Sequence, residues 1–409
     1  MKMFFAWAAL LLAGAPAVAA DARPVDFSAE EVARIVAHGP WPPPLARDAG
    51  NRVSGRPAAI EFGAQLFFDP RLSANGQVSC ASCHRPQHGW SEPRATTAGL
   101  EPTERNSKSV VDARFNRWFG WSGASDSLWA ASLRPLADPR EMGGVERRLP
   151  ALVRDTPDLA CGYRRAFNAP PPADDEQLFA DLGKALAAFQ ETLVSGRTSF
   201  DDFRDALARG DRRAAARYPL AAQRGLKLFV GRAGCSTCHF GPTFSNGEFD
   251  TVGIAVRNAD GRFDWGRYDG IKALQSSRFN LLGRYNDDAT RANAVATQHV
   301  RLDREAYGAF KVPALRNVAL TAPYMHNGSL ATLADVVRHY STIDDVKLAI
   351  ALSAPHHEPE GEFVPTPVTS VLRTLDLTDG EVADLVAFLE TLTEKQPRRV
   401  PPLPKALCR

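Results

Sequence analysis

No run of residues beyond the first twenty reaches the roughly 20 consecutive apolar side chains that a membrane-spanning helix needs, so no membrane span is expected. Charge of one sign is also lacking: 49 Lys and Arg stand against 47 Asp and Glu, a formal net charge of +2. With no basic run carrying interleaved aromatics, nucleic acid is excluded as an expected partner. Methionine is scarce, with only Met142 and Met325 beyond residue 3, and no histidine lies between His88 and His239. Cysteine is limited to six residues, yet four of them fall in two copies of one pattern.

That pattern is Cys80-Ala81-Ser82-Cys83-His84, repeated as Cys235-Ser236-Thr237-Cys238-His239. In a covalently attached haem two thiols add to the porphyrin vinyl groups, and the adjacent His ligates the iron from below. A redox dithiol, or one zinc ion held by all four thiols, gives no reason to place His directly after the second Cys, twice over. Two c-type haems are therefore expected. Cys161 and Cys408 remain; in an oxidising compartment they could pair, but their sequence separation says nothing about reach, and the disulfide stays open.

Residues 1–20 carry one Lys, an apolar stretch over residues 4–12, and Ala17-Val18-Ala19-Ala20 before Asp21, which reads as a cleaved secretory signal. A bacterial periplasm, where covalent haem is assembled, is the expected location. Residues 21–55, with Pro42-Pro43-Pro44, predict an extended N-terminal arm. Pro57 then opens a helix that Asp69-Pro70 stops. Apolar spacing predicts a second helix over residues 176–196, ending at Gly196. Thr378-Asp379-Gly380-Glu381 is a capping box that starts a third. Gly63-Ala64-Gln65-Leu66-Phe67 before the first haem motif recurs as Gly225-Leu226-Lys227-Leu228-Phe229 before the second, which suggests two copies of one unit. The expected division is an N-terminal haem domain over 56–200 and a C-terminal haem domain over 201–409. Strand-like alternation is scarce, so the fold class is mainly α with long loops.

What faces each iron opposite its His decides function. Only His38, His84 and His88 precede His239. His88 follows His84 too closely to reach the far face and is expected to bond local backbone or solvent, and His38 in the arm is equally unpromising. Ligation by Met142 would make the first haem a closed carrier; the preferred reading is an open iron that binds peroxide or oxygen. Peroxide chemistry also needs an acid/base nearby, and Glu141 is the candidate, although by itself it is one loop carboxylate among many. For the second haem His299, Met325, His326, His339 and Tyr340 all follow the motif, and composition does not choose among them.

Further stretches carry a resemblance: Leu66-Phe67-Phe68-Asp69-Pro70-Arg71-Leu72-Ser73, Arg105-Asn106-Ser107, Phe119-Gly120-Trp121, Pro135 through Glu141, and Phe310 through Asn317 continuing to Thr321-Ala322-Pro323-Tyr324-Met325-His326-Asn327-Gly328. With the two haem motifs, they make the chain resemble the bacterial di-haem cytochrome c peroxidase and MauG superfamily over most of its length. The resemblance implies two cytochrome c-like domains, with Glu141 as the distal acid/base and Pro135 over the open haem. It implies Trp121 as an electron relay between the haems. Asn106 with the backbone carbonyls of Thr321 and Pro323 falls on an inter-haem calcium site, a set of oxygen ligands suited to a hard cation. Many of the peroxidases carry a distal His beyond the first motif, which this chain lacks, so an always-open first haem is implied. At the position where peroxidases ligate the second haem with Met this chain has Tyr340, as in MauG, and a phenolate favours oxidised iron.

The likeness points to the MauG-like branch that includes MbnH, di-haem enzymes associated with methanobactin operons that oxidise a Trp of a partner protein to kynurenine. The expected activity is therefore a hydrogen peroxide-dependent, high-valent di-haem state that oxidises a partner protein side chain, a Trp by analogy. Two alternatives stand beside it: a cytochrome c peroxidase fed by a small redox protein, and a plain electron carrier.

Overall fold

The computed structural model describes residues 24–254, 263–343, 372 and 374–396. The signal-like segment 1–20 and Cys408 lie outside them. Cys161 is disulfide-bonded. Among the described residues the fold is mainly helical, and its one named sheet pairs Phe249–Asp250 with Phe310–Lys311. None of these helices is long and apolar enough to cross a membrane.

Seven helices organise the site. They are α1 (Ala29–Val36), α2 (Pro57–Phe68), α3 (Leu128–Ala137), α4 (Asp175–Gln190), α5 (Leu220–Val230), α6 (Leu333–Thr342) and α7 (Asp379–Glu390). Buried apolar side chains fall into two clusters. The first runs from Val53 to Leu193 and adds Tyr285; the second joins Ile35 to residues from Phe200 to Leu392.

The arm is not extended throughout. Ser28 and Glu31 form a capping box that starts α1, and Ile35 is fully buried in the second cluster. Helical hydrogen bonding and that burial outweigh the proline-rich composition, which takes effect only from Pro40 onward. The chain then stays packed: Trp41 is buried under the Arg316 guanidinium, 3.6 Å from its ring centroid, and Arg316 forms a buried ion pair with Asp201 at 2.7 Å. A second difference concerns α4, which ends at Gln190 rather than at Gly196. Thr192 and Leu193 donate backwards to Phe189 and Gln190 in tight turns, while the Gly196 N–H donates to Glu394 Oε2 at 2.7 Å. Leu193 is buried in the turn, so the apolar pattern outlasts the helix.

The repeated Gly-x-x-Leu-Phe has a packing cause. A Cβ at Gly63 on α2 would lie 1.9 Å from the Ala185 carbonyl oxygen of α4, and one at Gly225 on α5 would lie 1.9 Å from the Asp384 carbonyl oxygen of α7. Each glycine lets one helix press directly against the backbone of another, and each pair carries a haem motif just beyond its first helix. Gly63→Ala and Gly225→Ala are each expected to destabilise the fold by about 3 kcal/mol, the upper end for overpacking, read as a fall in the denaturant midpoint.

Candidate active site

Both haem motifs form tight turns, a helical one over Cys80–Cys83 and a 3-10 one over Cys235–Thr237, each followed by its His. His84 Nδ1 lies 3.3 Å from the Trp90 carbonyl oxygen, and His239 Nδ1 lies 2.9 Å from that of Phe244. A carbonyl only accepts, so Nδ1 carries the proton in both rings and the Nε2 lone pair is left for iron. Burial holds both imidazoles below their usual range and hence neutral, the ligating form. None of the four motif thiols is in a disulfide, and they line two cavities of about 740 Å³ and about 380 Å³. Thiol pair, oriented imidazole and adjoining cavity together fit a covalent haem at each motif.

The first cavity is walled on one side by α3, which contributes Arg134 and Pro135, and by the loop that follows it with Asp138, Glu141 and Met142. The Met142 N–H donates to Pro135 and Asp138, and Gly143 and Gly144, both at positive φ, turn the chain back. Leu100 donates to the Glu141 carbonyl at 3.1 Å, and Gly99 makes room: a Cβ there would lie 2.5 Å from Glu141 Cα. Burial pushes the Glu141 carboxyl up to about 7, with Asp138 adding to the shift and Arg134 and Arg140 opposing it. At neutral pH the group therefore exchanges its proton readily in both directions. His84 is the one histidine lining this cavity among the described residues, and His88 lines neither cavity.

Trp121 lines both cavities, so it stands in the partition between them. Its indole N–H donates to the Asn106 carbonyl at 2.9 Å, its own carbonyl accepts from the Lys311 backbone N–H at 2.8 Å, and Lys108 Nζ lies 3.8 Å from its ring centroid. Burial holds the Lys108 ammonium well below its usual range and pushes Lys311 down to about 8.

Around the second cavity the five candidates for the sixth position separate. Tyr340 on α6, Met325 and His326 line it. His339 is turned away, its Nε2 2.6 Å from the Val252 carbonyl, and His299 does not line the cavity. His326 lies flat on Phe310, with centroids 3.6 Å apart. His38, buried behind His239, faces the carbonyls of Arg34 and His239 with its two ring nitrogens and is not placed to ligate. Asn106, Thr321 and Pro323 line this same cavity. Sequence reasoning missed Arg134, Lys108 and Gly99, whose roles depend on long-range packing rather than on a motif.

Residues 57–209 match the family model described as di-haem cytochrome c peroxidase. The methylamine utilization protein MauG of Methylorubrum extorquens is 31% identical over 398 residues, which is 96% of this chain and 95% of that one. The chain belongs to the di-haem cytochrome c peroxidase and MauG family. It is therefore a di-haem oxidoreductase, and the family implies two c-type haems and hydrogen peroxide as the reactant. Cytochrome c551 peroxidase of Nitrosomonas europaea is 28% identical, over 84% of this chain and 83% of that one. Among solved structures, a MauG-like protein associated with microbial copper homeostasis is 28% identical, with a TM-score of 0.62, covering 87% of this chain and 96% of that one.

Proposed function

We propose that this di-haem oxidoreductase works in the periplasm, reacts with hydrogen peroxide in the first cavity and spends the two oxidising equivalents on a side chain of a partner protein, a Trp. The observation that carries the reading is Trp121, which is common to the walls of both cavities. When bound, the haems supply an open coordination position and the capacity to hold oxidising equivalents. Glu141 takes a proton from one peroxide oxygen and returns it to the other as the O–O bond breaks. Pro135 closes the wall beside it. Trp121 passes electrons between the cavities, and His239 and Tyr340, which line the second cavity together, would hold the second haem. Each hydrophobic cluster is the core of one haem domain, the chain passing from the first to the second near residue 200 apart from Tyr285 and Ile35, and Asn106 with the backbone carbonyls of Thr321 and Pro323 would supply oxygen atoms to a calcium ion.

Tyr340→Met tests the ligand. Thioether in place of phenolate favours ferrous iron, so the variant is expected to raise the midpoint potential of one haem and leave the other in place. An unchanged pair of potentials overturns the Tyr340 assignment. The likeness to cytochrome c551 peroxidase favours a second reading, simple peroxide removal. Slow steady-state peroxide turnover with a reduced small c-type cytochrome is expected from the first reading; fast turnover favours the second.

A further inference from the structure

Among the described residues that line both cavities, none is a carboxylate. Lys108 Nζ is sealed from solvent and has no hydrogen-bond partner among the described residues. The charged groups that act on it are Lys311 and Arg105, both of its own sign. Arg105 is already committed to Asp264 at 2.6 Å, and among the described residues the Lys311 ammonium donates to the neutral Asn116 Oδ1 at 2.6 Å, with Glu248 the carboxylate that acts on it. Lys108 and Lys311 both line both cavities. A buried ammonium without an anion is costly, and proteins retain one where an anion arrives to meet it.

We propose that Lys108, with Lys311 beside it, receives the propionate carboxylates of the haems across this partition. The inference rests on the placement of a haem at each motif but not on what the enzyme oxidises. The four-carbon stem lets the ammonium swing from the Trp121 ring toward either cavity. A propionate there neutralises the positive charge over Trp121, which would otherwise oppose loss of an electron from the indole. Lys108 is thus a positioning residue that fixes haem edges beside the relay.

The test is a redox titration of the holoenzyme, with Lys108→Met and Lys108→Arg compared with the unaltered chain. An ammonium near a haem favours the ferrous form, so its removal is expected to lower at least one midpoint potential. The ferrous-to-ferric ratio at fixed potential should fall roughly tenfold, and Lys108→Arg should restore it. Potentials that coincide in Lys108→Met and the unaltered chain, with both haems attached, overturn the proposal and leave Lys108 as an amine packed on Trp121. Where Lys108→Met fails to load haem, resonance Raman propionate-bending bands of Lys108→Gln decide: a shift supports the contact, and unchanged bands overturn it. Neither readout uses peroxide or a partner, so either can fail while the proposed activity stands.

Discussion

Glu141→Gln is expected to lower the rate constant for peroxide reaction with the diferric enzyme by about 10²–10⁴-fold, the usual contribution of a positioned acid/base. The amide keeps the volume and the backbone contacts of the loop, in which Gly99 and Leu100 hold Glu141, so the fold and haem content should not change. The pH profile makes the test sharper. Burial pushes the carboxyl up to about 7, so below that pH the group keeps its proton and does not accept one from peroxide. In the unaltered chain the rate should therefore rise as pH climbs through about 7 and level off above it. In the Gln variant the dependence should vanish. A Gln variant that retains both the rate and the pH step, measured by stopped-flow absorbance, would assign the proton transfer to another group, such as Asp138 in the same cavity wall.

Trp121→Phe is expected to separate the two cavities. Phe preserves an aromatic wall but loses the indole N–H that donates to the Asn106 carbonyl, and its ring gives up an electron far less readily. Peroxide should still be consumed in the first cavity, because Glu141 and Arg134 are untouched. Oxidation of the second haem should slow by about 10²-fold, a loss comparable to that from displacing a reacting group. The split is diagnostic: a merely structural Trp121 would lower both steps together through lost haem or lost stability. Lys108 sharpens the same point, since its Nζ lies 3.8 Å from the ring centroid and any change at either residue is felt by the other.

Much of this arrangement is legible in the sequence because the chemistry is local. Cys-x-x-Cys-His demands one tight turn, and both motifs make it, with Nδ1 of each His fixed by a carbonyl a few residues onward. The Gly-x-x-Leu-Phe repeat marks two helix crossings so close that no Cβ fits, and Thr378 and Glu381 cap α7 as their spacing requires. What is not legible depends on partners distant in the chain. A proline-rich segment conceals α1 because the Ser28–Glu31 capping box is weaker as a pattern than three consecutive prolines, and burial of Ile35 against residues beyond 200 decides the outcome. His339 stands next to Tyr340 and looks equally suited to iron until Val252, far back along the chain, takes its Nε2. Arg134 and Lys108 belong to no motif, and only the folded chain brings one to Glu141 and the other to Trp121.

The central claim is that one oxidation event at the first haem is shared with the second through Trp121. The direct measurement is electron paramagnetic resonance of the diferric enzyme before and after one equivalent of hydrogen peroxide, with no donor present. The account predicts that the ferric signals of both haems are lost together and stay lost long after the peroxide is consumed. Loss of the first haem's signal alone, with the second unchanged, would contradict it.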